Sequence, residues 1–225
     1  MAWTSYSPAD FLLFAPRTYW RLFELQNEAL WPLTPALPVL GLLAILAALR
    51  GGGAGRRLAF AAVAAGWAAS GLLFVGGRYA EINWAVERVW WIFVAQAMLL
   101  LAAGAVLDRL RPAVEAGPRG AIGLALAVGA VAGYPLLAPL DGRGLAQVEI
   151  AGIAPDPTAL LTLGLLALAR PGLLPAFLCL VPAAWCAASA ATLLTMGAWQ
   201  GWVLAGTALA GLIVRLSPGR AAGRR

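Results

Sequence analysis

The sequence predicts an all-α membrane protein, a polytopic bundle of about seven transmembrane helices preceded by an amphipathic interfacial helix. Two observations lead to this prediction. First, 62% of the 225 residues are hydrophobic and only 12% are charged, which is about half the charged share of a soluble domain. Second, apolar runs without charge recur along the chain at lengths that span a bilayer, about 18 residues or more.

Six apolar runs are long enough to cross a membrane, and a seventh is short. The six long runs are residues 31–49, 58–77, 89–107, 121–140, 173–194 and 198–214. The short run, residues 157–169, gives about 20 Å of helix for a hydrocarbon core of about 30 Å. It could therefore cross the membrane or form a re-entrant segment.

The arginines distinguish these alternatives, because all 16 basic residues are arginine. Seven crossings with the N-terminus outside leave Arg17, Arg21, Arg78, Arg88 and Arg143 outside and place the other eleven inside: Arg50, Arg56, Arg57, Arg109, Arg111, Arg119, Arg170, Arg215, Arg220, Arg224 and Arg225. A re-entrant segment would move the last four outside. The positive-inside rule thus predicts seven crossings, an external N-terminus and a cytoplasmic C-terminus.

The domain organisation follows from these runs. Residues 1–30 are predicted to form the amphipathic interfacial helix, residues 31–216 the transmembrane domain and residues 217–225 a basic cytoplasmic tail. After Pro16, a polar stripe of Arg17, Arg21, Glu24 and Glu28 recurs at helical spacing beside aromatic and aliphatic residues. Such a helix is expected to lie along the membrane surface.

Composition also argues against several classes of chemistry. Without lysine the chain cannot form a Schiff base, and without histidine it lacks a bis-imidazole haem site and a histidine proton relay. Cys179 and Cys186 would lie about 10 Å apart on one helix, too far for a disulfide, and are expected to be buried structural thiols. We therefore predict no enzyme activity, cofactor or metal. The dispersed arginines predict no nucleic-acid partner.

Charge within the spans is also informative. None of the long apolar runs has an Asp, Glu or Arg in its interior. An ionisable group at the bilayer centre is costly and is usually retained for function. This pattern argues against proton- or sodium-driven transport. Eight acidic residues are expected on the external side: Asp10, Glu24, Glu28, Glu81, Glu87, Asp141, Glu149 and Asp156.

The first candidate site lies in "YAEINWAVERVWW", residues 79–91. Its tryptophans are typical of a membrane interface, and Glu81 suits the first turn of a helix. Asn83 has no interfacial explanation. Gln96 lies deeper, near the bilayer centre, where its amide needs a partner. An interhelical hydrogen bond and a binding site are the two alternatives for Gln96.

Two further candidates lie near predicted helix ends. Asp156 before Pro157 is typical of an N-cap, and Thr158 and Thr162 share a helix face. A short, proline-interrupted helix can also line a binding cavity. In the Gln26-Asn27-Glu28 stretch before Trp31-Pro32, periodicity favours solvated surface residues.

Several of these residues resemble the motifs of a bacterial family of multi-pass membrane proteins of unknown function, whose members are sometimes labelled permease-like. The motifs occur in consistent order along nearly the whole chain. They match Asn27, Ala29, Trp31 and Pro32; Ile82, Asn83 and Gln96; the Tyr-Pro-Leu-Leu beginning at Tyr134; Pro155 to Thr158 with residues 162–166; and Pro182 to Trp185.

The resemblance implies a location in the bacterial inner membrane and gives added weight to Asn27, Asn83, Gln96 and the turn at residues 155–158. This chain also departs from the family pattern. A family cysteine is replaced by Asp156, a Tyr-His by Phe74-Val75 and a Gly-His by Gly142-Arg143. A metal held by those groups in relatives would not be held in the same way here. The resemblance implies no established activity.

Two functional hypotheses follow. The first is a small permease-like or solute-binding membrane protein with an externally open polar cavity, walled by Asn27, Asn83, Gln96, Asp156, Thr158 and Thr162. Glu28, Glu81 and Tyr134 complete the predicted binding residues. The alternative is a non-catalytic structural or accessory subunit of a larger membrane complex. The expected partners are the lipid bilayer and either a small solute or a membrane protein.

Overall fold

The computed structural model describes residues 12–50, 52–112 and 117–217. The main helices are α1 (Pro16–Ala29), α2 (Leu37–Arg50), α3 (Gly52–Ala69), α4 (Trp90–Leu100), α5 (Pro118–Val128), α6 (Pro155–Leu168), α7 (Leu173–Leu178), α8 (Leu180–Thr195) and α9 (Gln200–Leu216). These helices confirm the all-α bundle. The first eleven residues of the predicted interfacial segment and residues 218–225 of the predicted tail lie outside the described part.

Three helices continue in π-helical and short helical turns. α3 continues through Ser70–Tyr79 to Ala80–Ile82, and α4 continues through Leu101–Val106. α5 continues through Gly129–Gly133, Tyr134–Leu136 and Leu137–Leu140. These continuations lengthen helices that would otherwise be too short to span a bilayer.

In the part of the chain that the structure describes, four helices are long and apolar enough to cross a membrane: Gly52–Ile82, Trp84–Val106, Pro118–Leu140 and Leu173–Thr195. They coincide with four of the predicted runs. The first predicted run corresponds to Thr34–Arg50, which is bent by 96° from α1, and the last corresponds to the shorter helix Gln200–Leu216. The fold fits a helical membrane protein, and the number of seven crossings stays a prediction.

The contacts of α6 show how it lies relative to α5. Arg119, near the start of α5, donates to the carbonyl of Ala167 near the end of α6. Tyr134, beyond the end of α5, donates to Asp156 in the first turn of α6. The two helices are therefore antiparallel. α6, which contains most of the short predicted run, connects the same two ends of the bundle as α5.

α9 runs parallel to α6. Gln200 at its start contacts Tyr134, and Arg215 near its end contacts the carbonyl of Ala169 just after α6. We call the first of these regions the Glu149 end of the bundle, after a buried acid described below. The opposite region is the Arg215 end.

α6 is the central helix of the bundle, because every residue from Pro155 to Leu168 is buried. Its packing against α5 is close enough to require glycine. A Cβ added to Gly164 would lie 2.6 Å from the backbone nitrogen of Ala127. α6 is too short to span a thick bilayer alone. Because neighbouring helices enclose it, it needs no direct contact with lipid.

The predicted amphipathic helix is present as α1, and its apolar face packs against the rest of the protein. Its position along a membrane surface stays a prediction. The buried face consists of Tyr19, Trp20, Leu22, Phe23, Gln26 and Asn27. Phe23 stacks on Phe74, with ring centroids 4.4 Å apart. Arg17, Arg21 and Glu28 remain exposed. α1 therefore covers the Glu149 end.

Candidate functional site

Asp156 lies in the first turn of α6 and is 1% exposed. The N-cap prediction is wrong, because the helix begins at Pro155 and the cap residue is Ala154. The carboxylate instead accepts three side-chain hydrogen bonds, from Tyr134 Oη (3.1 Å), Trp185 Nε1 (2.7 Å) and Ser189 Oγ (2.7 Å). Neighbouring helices therefore supply the donors that a buried carboxylate needs.

A second buried acid is joined to Asp156 through two side chains. Gln200 Nε2 lies 3.2 Å from Tyr134 Oη and donates to Glu149 Oε1 at 2.5 Å. Glu149 is 2% exposed, and its Oε2 atom has no hydrogen-bond partner. We call Glu149, Gln200, Tyr134, Asp156, Trp185 and Ser189 the carboxyl network.

Arg143 borders this network but divides its contacts. Its Nη2 atom donates to Gln200 Oε1 at 2.5 Å and lies 3.7 Å from Glu149 Oε1. Its Nε atom is 3.5 Å from Asp141 Oδ2. The guanidinium also lies over the Trp20 ring of α1, 3.6 Å from the ring centroid. Glu149 consequently shares this positive charge with another carboxylate.

The surroundings of Glu149 favour its neutral form. Burial and the nearby Asp156 carboxyl raise the pKa of Glu149 from 4.5 to about 8, although Arg143 and Gln200 act in the opposite direction. Removal from water disfavours the charged form of an acid, and a neighbouring negative charge adds to that effect.

Thr158 and Thr162 form a separate cluster. Thr158 Oγ1 lies 3.3 Å from Ser70 Oγ, and Thr162 Oγ1 accepts from Trp67 Nε1 at 2.8 Å. Thr158 is two residues beyond Asp156, about 200° around the helix. The threonines therefore face α3, whereas Asp156 faces α8.

Asn27 and Glu28 line a different region, a cavity of about 540 Å³ at the α1–α2 bend. Asn27 Nδ2 donates to the carbonyls of Ala146 and Val148, both at 2.8 Å. The prediction of solvated polarity is wrong for Gln26 and Asn27, which are buried, and holds for exposed Glu28. The rest of the lining is Trp31, Thr34, Pro35, Leu145, Ala146, Val148 and Ile150.

Asn83 and Glu81 lie away from both clusters. Asn83 is partly exposed and caps the short turn Trp84–Val86 by accepting from the amide of Ala85 at 3.1 Å. Glu81 is exposed. The chain leaves one helix and enters the next at this point, which explains the local need for a capping amide.

Gln96 makes the interhelical hydrogen bond that was one of its two alternatives. It is 1% exposed, and its Nε2 atom donates to the carbonyl of Leu178 at 2.9 Å. Pro182 lies four residues after Leu178 and has no amide hydrogen to donate to that carbonyl. Gln96 therefore satisfies an acceptor that proline leaves free.

The predicted polar wall is thus divided among several places. Asp156 and Tyr134 meet in the carboxyl network, Thr158 and Thr162 meet beside α3, and Asn27 and Glu28 meet at the α1–α2 bend. Asn83, Gln96 and Glu81 join none of them. The single cavity expected from the sequence is corrected to these separate regions.

Sequence reasoning missed Glu149, Gln200, Arg143, Trp185 and Ser189. It placed Glu149 and Asp156 among external acids, whereas the structure buries both at the Glu149 end. Neither acid lies in one of the long apolar runs, so the argument from missing interior charge did not apply to them. One feature of the sequence could have indicated that Glu149 is buried: it stands between Val148 and Ile150 in an otherwise apolar stretch.

The cysteines give no additional site. Cys179 and Cys186 are buried and unpaired, as predicted for structural thiols. Within residues 12–50, 52–112 and 117–217, no group of three His, Cys, Asp or Glu side chains is placed to hold a metal ion.

Comparison with known proteins identifies the family. The model of DUF6064, a family of unknown function, matches residues 17–224. The chain therefore belongs to this family. No curated protein and no solved structure shows significant similarity to it.

Proposed function

We propose that this member of DUF6064 is a non-enzymatic, permease-like membrane protein that binds a small solute at the Glu149 end. The cavity at the α1–α2 bend is the observation that supports this proposal. Its volume of about 540 Å³ is within the usual range of ligand pockets, roughly 300–1,000 Å³. The absence of His and Lys from the sequence supports the non-enzymatic part.

The lining of the cavity indicates a solute class. Apolar side chains form most of it, and Asn27, Glu28 and Thr34 supply the polar groups. Glu28 is exposed at its edge and offers a carboxylate. A small amphiphile with an apolar body and an ammonium group fits this combination, since the body would contact the apolar wall and the ammonium group would meet Glu28.

The proposed orientation places the Glu149 end outside a bacterial cytoplasmic membrane. Arg50, Arg56, Arg57, Arg109, Arg111, Arg119, Arg170 and Arg215 lie towards the opposite end or in its connecting loops, which suits the cytoplasmic face. A reporter fused after Arg225 that is active only in the periplasm is expected to be inactive. Periplasmic activity would reverse the orientation.

The solute proposal can be tested by flux into proteoliposomes. The probes are small alkylammonium ions and their neutral isosteres. Wild-type protein is expected to accelerate entry of some of the ammonium ions, and Glu28→Gln is expected to reduce this several-fold. Glu81→Gln is the matched control, because Glu81 is also exposed but lies outside the cavity. Equal flux with and without protein across the panel would contradict the proposal.

Solute access is tested separately with an impermeant maleimide. Ile150 and Ile153 belong to the same loop, and each is 4% exposed. Ile150 lines the cavity, whereas Ile153 lines an apolar groove beside α2 and α3. Ile150→Cys is expected to react from the Glu149 end faster than Ile153→Cys. Equal protection of both cysteines would show that the cavity is closed to solutes.

A second candidate function is that of an accessory subunit. The supporting observation is the groove of about 300 Å³ beside α2 and α3, where the small side chains of Ala62 and Ala65 are exposed and permit close approach of another helix. This proposal predicts stoichiometric co-purification of a membrane partner in mild detergent, and loss of that partner on Ala65→Leu. Isolation as a lone protomer from native membranes would count against it.

A further inference from the structure

Glu149 has fewer partners than a buried carboxylate requires. Its Oε1 atom accepts from the neutral amide of Gln200, whereas its Oε2 atom is buried with no hydrogen-bond partner. Arg143 comes within 3.7 Å but is also 3.5 Å from Asp141. A charged carboxylate with so few partners costs several kcal/mol to bury.

Asp156 has the opposite environment. Three donors, Tyr134, Trp185 and Ser189, converge on its two oxygens. Hydrogen bonds to a carboxylate stabilise the charged form. The network therefore has one acid that is well solvated by protein and one that is not. Retention of a proton by the second acid relieves the repulsion between the two.

We propose that Glu149 is a proton-binding site at this end of the bundle. A proton from solution forms an O–H bond at the carboxyl group, and the negatively charged carboxylate becomes a neutral acid. No other reactant is consumed. Asp156 remains the charged partner of the pair.

The geometry favours a proton over a metal cation. A metal ion would need several oxygen ligands, and the Oε1 atom of Glu149 already faces the amide hydrogens of Gln200 and the guanidinium of Arg143. Positive groups around the carboxylate would repel a second cation. A proton, in contrast, needs no set of oxygen ligands and removes the net charge of the carboxylate.

Charged and titratable groups face this acid from several elements. Asp156 comes from α6, Tyr134 from the end of the α5 helix, and Asp141 and Arg143 from the following loop. From α1, buried Tyr19 is close enough to be affected by the charges of both acids. α9 contributes the neutral Gln200. α8 contributes Trp185 and Ser189, together with the thiol of Cys186 near Asp156.

The proton site and the solute cavity share one segment. Val148 and Ile150 line the cavity, while Glu149 between them belongs to the network. Loss of the proton would draw Glu149 towards Arg143 and displace both neighbours. Coupling of solute binding to protonation rests on the proposed function, but the proton site itself does not.

Infrared spectroscopy of the full chain in lipid nanodiscs tests the proton site without any solute. The wild-type protein is expected to show a protonated-carboxyl band at neutral pH that disappears with a midpoint near pH 8. Glu149→Gln should remove the band. Glu28→Gln, which alters an exposed acid, should retain it. Persistence of the band in Glu149→Gln, or its absence from the wild type, would overturn the proposal.

A second variant covers the case in which Glu149→Gln does not fold. Asp156→Asn removes the neighbouring negative charge but keeps a hydrogen-bonding side chain, so the midpoint of the Glu149 band should move to lower pH. An unchanged midpoint would refute the proposed pair. A normal band without solute flux would leave the proton site supported while the proposed solute function failed.

Discussion

The two ends of α6 are both buried, yet their polar groups are satisfied in opposite ways. The first turn carries Asp156 and lies beside Glu149, so two buried acids meet at this end. The last turn carries no acid. Arg119 Nε donates to the carbonyl of Ala167 at 3.1 Å, and Arg215 donates to the carbonyls of Ala169, Arg170 and Gly172.

Helix electrostatics explains the signs. The start of a helix carries partial positive charge and its end carries partial negative charge, so acids suit the first turn and arginines the last. α6 has 14 residues and is about 21 Å long. Because its first and last residues are buried, both ends of this short helix lie below the surface of the bundle. Side chains from neighbouring helices must then replace the water that would satisfy an exposed helix end.

The difference between the ends concerns their response to pH. Arginine stays protonated at all ordinary pH values, so the Arg215 end is a fixed electrostatic cap. The Glu149 end contains a group that changes charge near neutrality. We infer that one end of α6 anchors the helix, whereas the other can respond to its surroundings.

Removal of Arg215, the fixed cap, is expected to have the largest effect on stability. Arg215→Ala leaves the carbonyls of Arg170 and Gly172 without this donor, whereas the carbonyl of Ala169 keeps a hydrogen bond from Arg119. The free energy of unfolding in detergent should fall by about 4 kcal/mol, because each of the two lost charged hydrogen bonds contributes about 1.5–3 kcal/mol. Thermal unfolding measures this loss. Arg57→Ala is the control, because Arg57 is exposed. Equal stability of the two variants would show that α6 needs no cap at this end.

Removal of the acid at the other end should cost somewhat less. Asp156→Ala leaves Tyr134, Trp185 and Ser189 without their acceptor, which should lower the free energy of unfolding by about 3 kcal/mol. The loss is limited because the substitution also removes a buried charge. Asp156→Asn retains an acceptor and should cost about 1 kcal/mol. The same unfolding measurement compares the two variants. An equal loss for Asn and Ala would mean that the negative charge, which both variants remove, and not the hydrogen-bond acceptor stabilises this end.

The next effect is smaller for each unit of pH, at most about 1.4 kcal/mol, and should appear in the pH dependence of stability. Because the pKa of Glu149 rises from 4.5 in the unfolded chain to about 8 in the folded protein, only the folded protein binds this proton between those values. Stability should therefore fall as pH rises from about 4.5 to about 8 and then level off. Glu149→Gln should flatten this slope, whereas Glu28→Gln should not. An equally steep slope in Glu149→Gln would assign the titration to another group.

The same comparison shows what the sequence could predict. Apolar runs locate the helices well, because burial in lipid or protein constrains every residue of a span. Arginines at helix ends also follow a general rule, and Arg119 and Arg215 fit it. Gln96 stands out in the sequence as a polar residue in an apolar run, and Asp156 as an acid beside a short apolar helix. Asn27 and Tyr134 were marked only by the family motifs.

The partners of these residues could not be predicted, because they are distant in the chain. Asp156 and Ser189 are joined by a hydrogen bond that depends on how α6 and α8 are rotated. The burial of Glu149 depends on α1 and α9 covering a loop that would be polar surface if left alone. Hydrophobic periodicity contains no information about either contact.

The smallest expected effect concerns Asn83, which lies outside both ends of α6. Its side chain accepts a hydrogen bond from the amide of Ala85 at a partly exposed turn, so Asn83→Ala should lower the free energy of unfolding by about 0.5–1 kcal/mol. Asn83→Asp keeps the acceptor and should stay close to the wild type. Neither variant should alter the infrared band of Glu149. A shift of that band in Asn83→Ala would mean that this turn is coupled to the carboxyl network through contacts other than its cap.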